Sequence, residues 1–202
     1  MTGKGNLFCC RRNSTCPQPK SRAGPDKPRG VVHGGRARVV DVQVRRATLA
    51  DAERLCEIYN REVTATTVTL DLVPRTLAEQ QQYIADRSGG LAVLVAYDGH
   101  DVLGFASLSF YRDRHGYRTS VEDSIYIDRA WHRRGVGNLL LGELTDLAAN
   151  HGFHAVFARI VGPQQASVAL HEHHGFAMIG LEREVGRKFG RWHDVAILQR
   201  LL

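Results

Sequence analysis

Residues 121–138 read VEDSIYIDRAWHRRGVGN and are followed by LLLGELTDLAAN. The first seven alternate with a period of two, as a strand does. Val121, Asp123, Ile125 and Ile127 fall on one face, and Glu122, Ser124 and Tyr126 on the other. The leucine-rich run after Asn138 is a helix, closed by Gly152. Between them, HRRGVGN (132–138) makes a strand-to-helix turn, the start of a β-α crossover. Gly135 and Gly137 carry no Cβ, so several backbone N–H groups can converge on one anion at the helix N-terminus, with Arg133 and Arg134 adding charge. The spacing matches neither the Walker A loop, which needs Gly-Lys-Ser/Thr, nor the dinucleotide fingerprint, because Leu140 stands at the third glycine. On its own the stretch reads equally as a phosphate cradle or as a tight turn with solvated arginines. Glu122, on the polar face of a strand entering a crossover, reads as a solvated carboxylate or a general base.

Working outward, residues 42–47 read as a strand, and Thr48 and Asp51 form a capping box that opens a helix. Leu49, Ala52, Leu55, Ile58 and Tyr59 recur along it at helical spacing. Cys56 falls on the same stripe and reads as a small core residue. Thr76 and Glu79 open a second helix after a long connection over 61–75, of a length that often lines a site. LAVLVAY (91–97) and DVLGFASLSF (101–110) flank Asp98-Gly99, a hairpin signal. Beyond the crossover helix come a strand over 154–160, a short helix over 165–174, and strands over 176–181 and 193–200. The order β-α-α-β-β-β-α-β-α-β-β predicts an α/β fold, a mixed central sheet covered by helices.

The net charge of +6 is unevenly placed. Residues 1–38 hold nine Lys/Arg and one acid, whereas the other 164 residues hold 18 against 20. A basic surface for nucleic acid is therefore not a property of the globular part. The tail also contains Pro17, Pro19, Pro25 and Pro28 and lacks apolar periodicity, so residues 1–38 are expected to be disordered and 39–202 to form the domain. Asn6-Leu7-Phe8-Cys9-Cys10 is too short for a secretory signal, and no run is long enough to span a membrane, which predicts a cytoplasmic protein. Cys9, Cys10 and Cys16, with His33, lack the paired spacing of a zinc site and read as free thiols, so no metal is expected.

Six separated segments carry a resemblance. They are IYNREV (58–63), TLDLVPRT (69–76), GFASLSFYRDRHGYRTSVEDSIYI (104–127), RRGVGN (133–138), ASVALHEHHGF (166–176) and EVGRKFGRW (184–192). In this order they resemble the GNAT superfamily of acetyl-CoA-dependent N-acetyltransferases, and within it the phosphinothricin and methionine sulfoximine N-acetyltransferase family. The resemblance implies acetyl-CoA as co-substrate. Its pyrophosphate would rest on the main chain of Arg133, Arg134, Gly135, Val136, Gly137 and Asn138, and its pantetheine arm would pair with Ile125, Tyr126 and Ile127. Further contacts fall at Gln164, where the family has Asn, and near His173.

By the same resemblance Glu122 is the base for a small amino-acid-like amine, and His171 stands where the wider superfamily places a Tyr that protonates the leaving thiolate. Arg118 and Lys188 would bind the substrate carboxylate, with Tyr117 and Trp192 as walls and Leu70 where relatives carry Phe. A homodimer is implied. Two other readings stay open: acetylation of another amine or of a protein N-terminus, and a non-catalytic acyl-CoA-binding module.

Overall fold

The computed structural model describes residues 30–34, 38–162 and 164–202. Strands β1 (Gly30–Gly34), β2 (Arg38–Arg46), β3 (Leu94–Tyr97), β4 (Val102–Phe110), β5 (Ser120–Ile127), β6 (Ala155–Val161), β7 (Ala177–Lys188) and β8 (Arg191–Leu201) form one sheet. Its order is β1-β2-β3-β4-β5-β6-β8-β7, antiparallel everywhere except between β5 and β6. That single parallel pair is the one joined by a helical crossover, α3 (Val136–Asn150), as parallel neighbours require.

Helices cover both faces. On one, α3 buries Leu140, Leu141, Leu144 and Ala148 against Val121, Ala106, Leu108 and Val156. On the other, α1 (Ala52–Ala65) packs Leu55, Ile58, Tyr59 and Val63 over Val93, Val95 and Phe105, with α2 (Leu77–Ala85) adding Ile84. Strand β3 and the residue before it alternate between the two clusters, Leu94 and Ala96 to one and Val93 and Val95 to the other, which is why the run is apolar on both faces. Helix α4 (Gln165–His173) lies beside the N-terminus of α3.

Both capping boxes form. Asp51 Oδ2 accepts from Thr48 N at 2.7 Å before the one-turn helix Leu49–Asp51, and Glu79 Oε2 accepts from Thr76 N at 2.7 Å before α2. Asp98-Gly99 makes the β3–β4 turn, with Asp98 Oδ1 accepting from Asp101 N.

Four boundaries differ from the sequence expectation. Most of the predicted disordered tail, Cys9, Cys10 and Cys16 included, lies outside the described residues. Within it, Gly30–Gly34 pairs with β2, which begins at Arg38 instead of residue 42. Helix α1 continues to Ala65, so the long connection starts later than residue 61. Of the last two strands, β7 runs twice the predicted length and β8 begins two residues earlier, and they form a hairpin whose shifts in register along β7 blur the period-two signal. Cys56 is half-buried and donates to the carbonyl of Arg75 at 3.2 Å instead of facing the core.

Among the described residues no helix is long and apolar enough to cross a membrane, and no cluster of His, Cys, Asp or Glu is arranged to hold a metal ion.

Candidate active site

The site is created by two neighbouring strands that part company. β5 and β6 pair only from Ser120–Ala155 to Glu122–Phe157. Beyond that β5 stays with β4 as far as Ile127, and β6 stays with β8 as far as Val161. A wedge opens between Ser124–Ile127 and Ala158–Val161, so the inner edge of β5 offers main-chain donors and acceptors with no strand partner. The resulting cleft is about 690 Å³. Its walls include Ile125, Tyr126 and Ile127, the start of α3, Gln164 and His171 of the α4 region, and Val68 to Leu70 of the α1–α2 connection.

At one end the wall is main chain. After β5, Asp128 accepts from Ala130 N at 2.8 Å and pairs with Arg54 at 2.5 Å, which starts the one-turn helix Arg129–Trp131. His132 Nε2 lies 3.0 Å from the Ile127 carbonyl and donates to it. Arg133 and Gly135 then take left-handed backbone, φ 59° and 87°, and Gly135 caps α3 with no side chain accepting from its first N–H groups. Those groups have no intrahelical acceptor and open into the cleft, an arrangement suited to a phosphate. At Gly137 a Cβ would come within 3.2 Å of Leu170 in α4, so the glycine lets the two helices approach.

The predicted loop residues divide accordingly. Arg133, Gly135, Gly137 and Asn138 line the cleft. The Arg134 guanidinium instead covers the Trp131 ring at 5.0 Å, and Val136 is buried in the core below α3. A pyrophosphate fits this end through main chain, which is what an uncapped N-terminus beside left-handed backbone supplies.

At the other end the wall is side chain. Glu122 is half-buried where the strands separate, and burial pushes its carboxyl pKa up while Arg159 pulls in the opposite direction. One position along, Asp123 faces His171, whose Nε2 lies 3.0 Å from Asp123 Oδ2 and whose Nδ1 lies 2.7 Å from the Ser167 carbonyl. A carbonyl and a carboxylate both accept, so the two contacts favour the ring with a proton on each nitrogen. Burial opposes the charged ring, but the Asp123 carboxylate outweighs it and the His171 pKa is raised. His171 thus sits in the cleft wall with its ring held at a defined angle, edge-on to Phe176.

Asp123 was not among the sequence candidates. Its signal was present in the alternation, which puts a carboxylate on an otherwise apolar strand face where it needs a charged partner.

Two further predicted cofactor contacts are not free to serve as expected. Gln164 lines it, but its Nε2 donates to Val161 O at 3.0 Å and is committed to the end of β6. His173 is exposed at the end of α4, its ring against His174.

The predicted substrate residues require correction within one chain. Tyr117 packs on Tyr111, which stacks on Phe157 at 4.0 Å, and Arg118 lies over Phe110, so aromatic packing carries both outward onto the β4–β5 connection. Trp192 is 59% exposed at the β7–β8 hairpin, beside Arg187. Lys188 is buried, and its Nζ donates to Thr69 O at 2.7 Å and reaches Glu62 O at 3.5 Å. It fastens the connection that brings Thr69 and Leu70 to the cleft, with its ammonium spent on carbonyls. Leu70 does line the cleft, its side chain pressed against Gly186.

The comparisons agree with this geometry. Residues 44–197 match the family model described as acetyltransferase (GNAT) domain. A phosphinothricin N-acetyltransferase of Streptomyces coelicolor is 39% identical over 166 residues, covering 80% of this chain and 97% of that protein. An L-methionine sulfoximine/L-methionine sulfone acetyltransferase of Pseudomonas aeruginosa is 36% identical, covering 79% and 94%. Among solved structures, a GNAT superfamily phosphinothricin acetyltransferase from Sinorhizobium meliloti in complex with acetyl-CoA superposes with a TM-score of 0.76 at 36% identity, covering 80% and 88%.

Proposed function

The chain belongs to the GNAT family of acetyltransferases and is an acetyl-CoA-dependent N-acetyltransferase, and we propose that its acceptor is the α-amine of a small amino acid or analogue of the phosphinothricin, methionine sulfoximine and methionine sulfone class. The observation that carries this reading is the position of Glu122, half-buried at the fork of β5 and β6 and in one cleft with the uncapped start of α3.

Acetyl-CoA supplies the acetyl group as an activated thioester. The main chain of Arg133 to Asn138 holds its phosphates, and the free edge of Ile125 to Ile127 aligns its arm. An amino acid's ammonium must lose a proton before nitrogen can attack, and Glu122 takes it; partial burial brings that carboxylate nearer the working pH. Main-chain N–H near Ile127 donates to the carbonyl oxygen as negative charge develops there. His171, in the cleft wall, would release its Nε2–H from Asp123 to donate a proton to the departing thiolate, and the neutral ring would then take a proton back from solvent, with the Asp123 carboxylate favouring the charged form.

The β7–β8 hairpin exposes Ile179, Leu181, Val185 and Phe189, which supports a homodimer built on this face. A cytoplasmic setting is part of this proposal, supported by the use of acetyl-CoA. Nucleic acid is not a partner on this reading, because the residues after 38 carry an excess of acid.

The test is to mix the protein with acetyl-CoA and a panel of small amino acids, their sulfoximine, sulfone and phosphinic analogues, and peptides with free N-termini, following thiol release. Release that depends on the small amino acids is expected. Release with peptides alone would move the assignment to protein N-termini, and cofactor binding without any release would leave a binding module.

A further inference from the structure

A zwitterionic amino acid brings a carboxylate next to the amine that Glu122 deprotonates, and a buried carboxylate needs a cation. The two cations expected for it are engaged elsewhere, Lys188 on carbonyls and Arg118 on Phe110. Among the described residues the cleft is lined by two arginines and no lysine, and one of these, Arg133, belongs to the α3 end. The other is Arg159 on β6.

The register puts Arg159 with Glu122. Glu122 pairs with Phe157, and Arg159 is two residues further on, so all three share one face of the sheet. Its guanidinium is braced by Glu182 of β7, Nη1 donating to Oε1 at 3.2 Å and Nη2 to Oε2 at 2.5 Å. That fork uses two of five N–H groups and leaves three, on a side chain that is 30% exposed.

We propose that Arg159, oriented by Glu182, is the carboxylate-binding residue of the acceptor site and makes the enzyme select amines that carry a neighbouring carboxylate. This rests on the amino-acid acceptor reading above. The geometry supports a two-point grip: Glu122 meets the ammonium, Arg159 the carboxylate, and the acceptor nitrogen is turned toward the fork of the strands. A guanidinium already fixed by one carboxylate loses little freedom on meeting a second, so its remaining donors are preorganised.

The experiment compares methionine sulfone with methionine sulfone amide, using the full chain. The readout is the ratio of kcat/KM, acid over amide. The wild type is expected to favour the acid at least about tenfold, the scale of one charge-assisted hydrogen-bonded pair. Arg159→Gln should bring the ratio within about threefold of unity, chiefly through KM of the acid. Glu182→Gln, which keeps the cation and loosens its orientation, should lower the ratio less. A strand-tying role alone would reduce both substrates together and leave the ratio unchanged, which would overturn the proposal, as would a wild-type ratio near one.

Calorimetric binding of N-acetylmethionine sulfone gives a readout without turnover. About tenfold weaker binding in Arg159→Gln is expected, and equal binding or none in both proteins sinks the subsite. Failure of the acceptor reading itself shows separately, as absence of thiol release with every amine.

Discussion

The two ends of the cleft are built from different materials. At the α3 end, Arg133 to Asn138 present main-chain N–H groups, while the side chains of Arg134 and Val136 point away to Trp131 and the core. At the Glu122 end, strands β5, β6 and β7 and helix α4 contribute side chains, and the charged groups around Glu122 are each held by a partner: His171 by Asp123, Arg159 by Glu182, Lys188 by the carbonyl of Thr69. A main-chain site tolerates changes of side chain and is sensitive to backbone conformation. A side-chain site has the opposite sensitivities.

The strongest attempt to break this division is Glu122→Gln. Turnover should fall about 10²- to 10⁴-fold, as for loss of a general base, while acetyl-CoA affinity by calorimetry stays within twofold. A parallel loss of affinity would show that the two ends are one unit.

Next, Gly135→Val asks a β-branched residue to adopt a φ of 87°, and acetyl-CoA binding should weaken about 10- to 100-fold. Unchanged affinity would mean that the loop geometry does not hold the phosphates.

Smaller again is Asp123→Asn, which removes the charge that raises the His171 pKa. A histidine whose folded pKa is raised contributes stability in full below its unfolded value of about 6.5 and loses it as pH rises through the folded value. Thermal unfolding followed from pH 5.5 to 9 should show that decline in the wild type. In the variant the decline should move to lower pH, with about 1.5 kcal/mol less stability at acid pH. Identical profiles would mean the ring is neutral.

Because Arg159 opposes the burial that raises Glu122, Arg159→Gln should move the acid limb of the kcat profile to higher pH. An unmoved limb would separate the two groups electrostatically. The smallest effects are expected from Arg134→Ala and His173→Ala, each under about threefold in acetyl-CoA affinity, and a large loss in either would return side chains to the phosphate end.

The same contrast explains what could be read in advance. The α3 loop was legible because its function depends on local backbone: glycines at 135 and 137, a strand ending at Ile127, a helix starting at Val136. Glu122 was legible through strand parity. The substrate residues were not, because Arg118, Lys188 and Trp192 were placed by motif position, and which way each points depends on Phe110, Thr69 and Arg187, residues distant in the chain or across a hairpin. Arg159 and Glu182 look like ordinary surface charges until β8 is inserted between β6 and β7 and their side chains meet over it.

The sequence by itself determined the alternation of strands and helices, the crossover at Gly135, the capping boxes and the polar face that carries Glu122, since all are set by spacing within some twenty residues. Only the tertiary structure decided that β5 and β6 separate after Glu122, that Asp123 meets His171, and that Arg159 faces the same cleft. Those outcomes follow from strand order and register, which local periodicity does not encode.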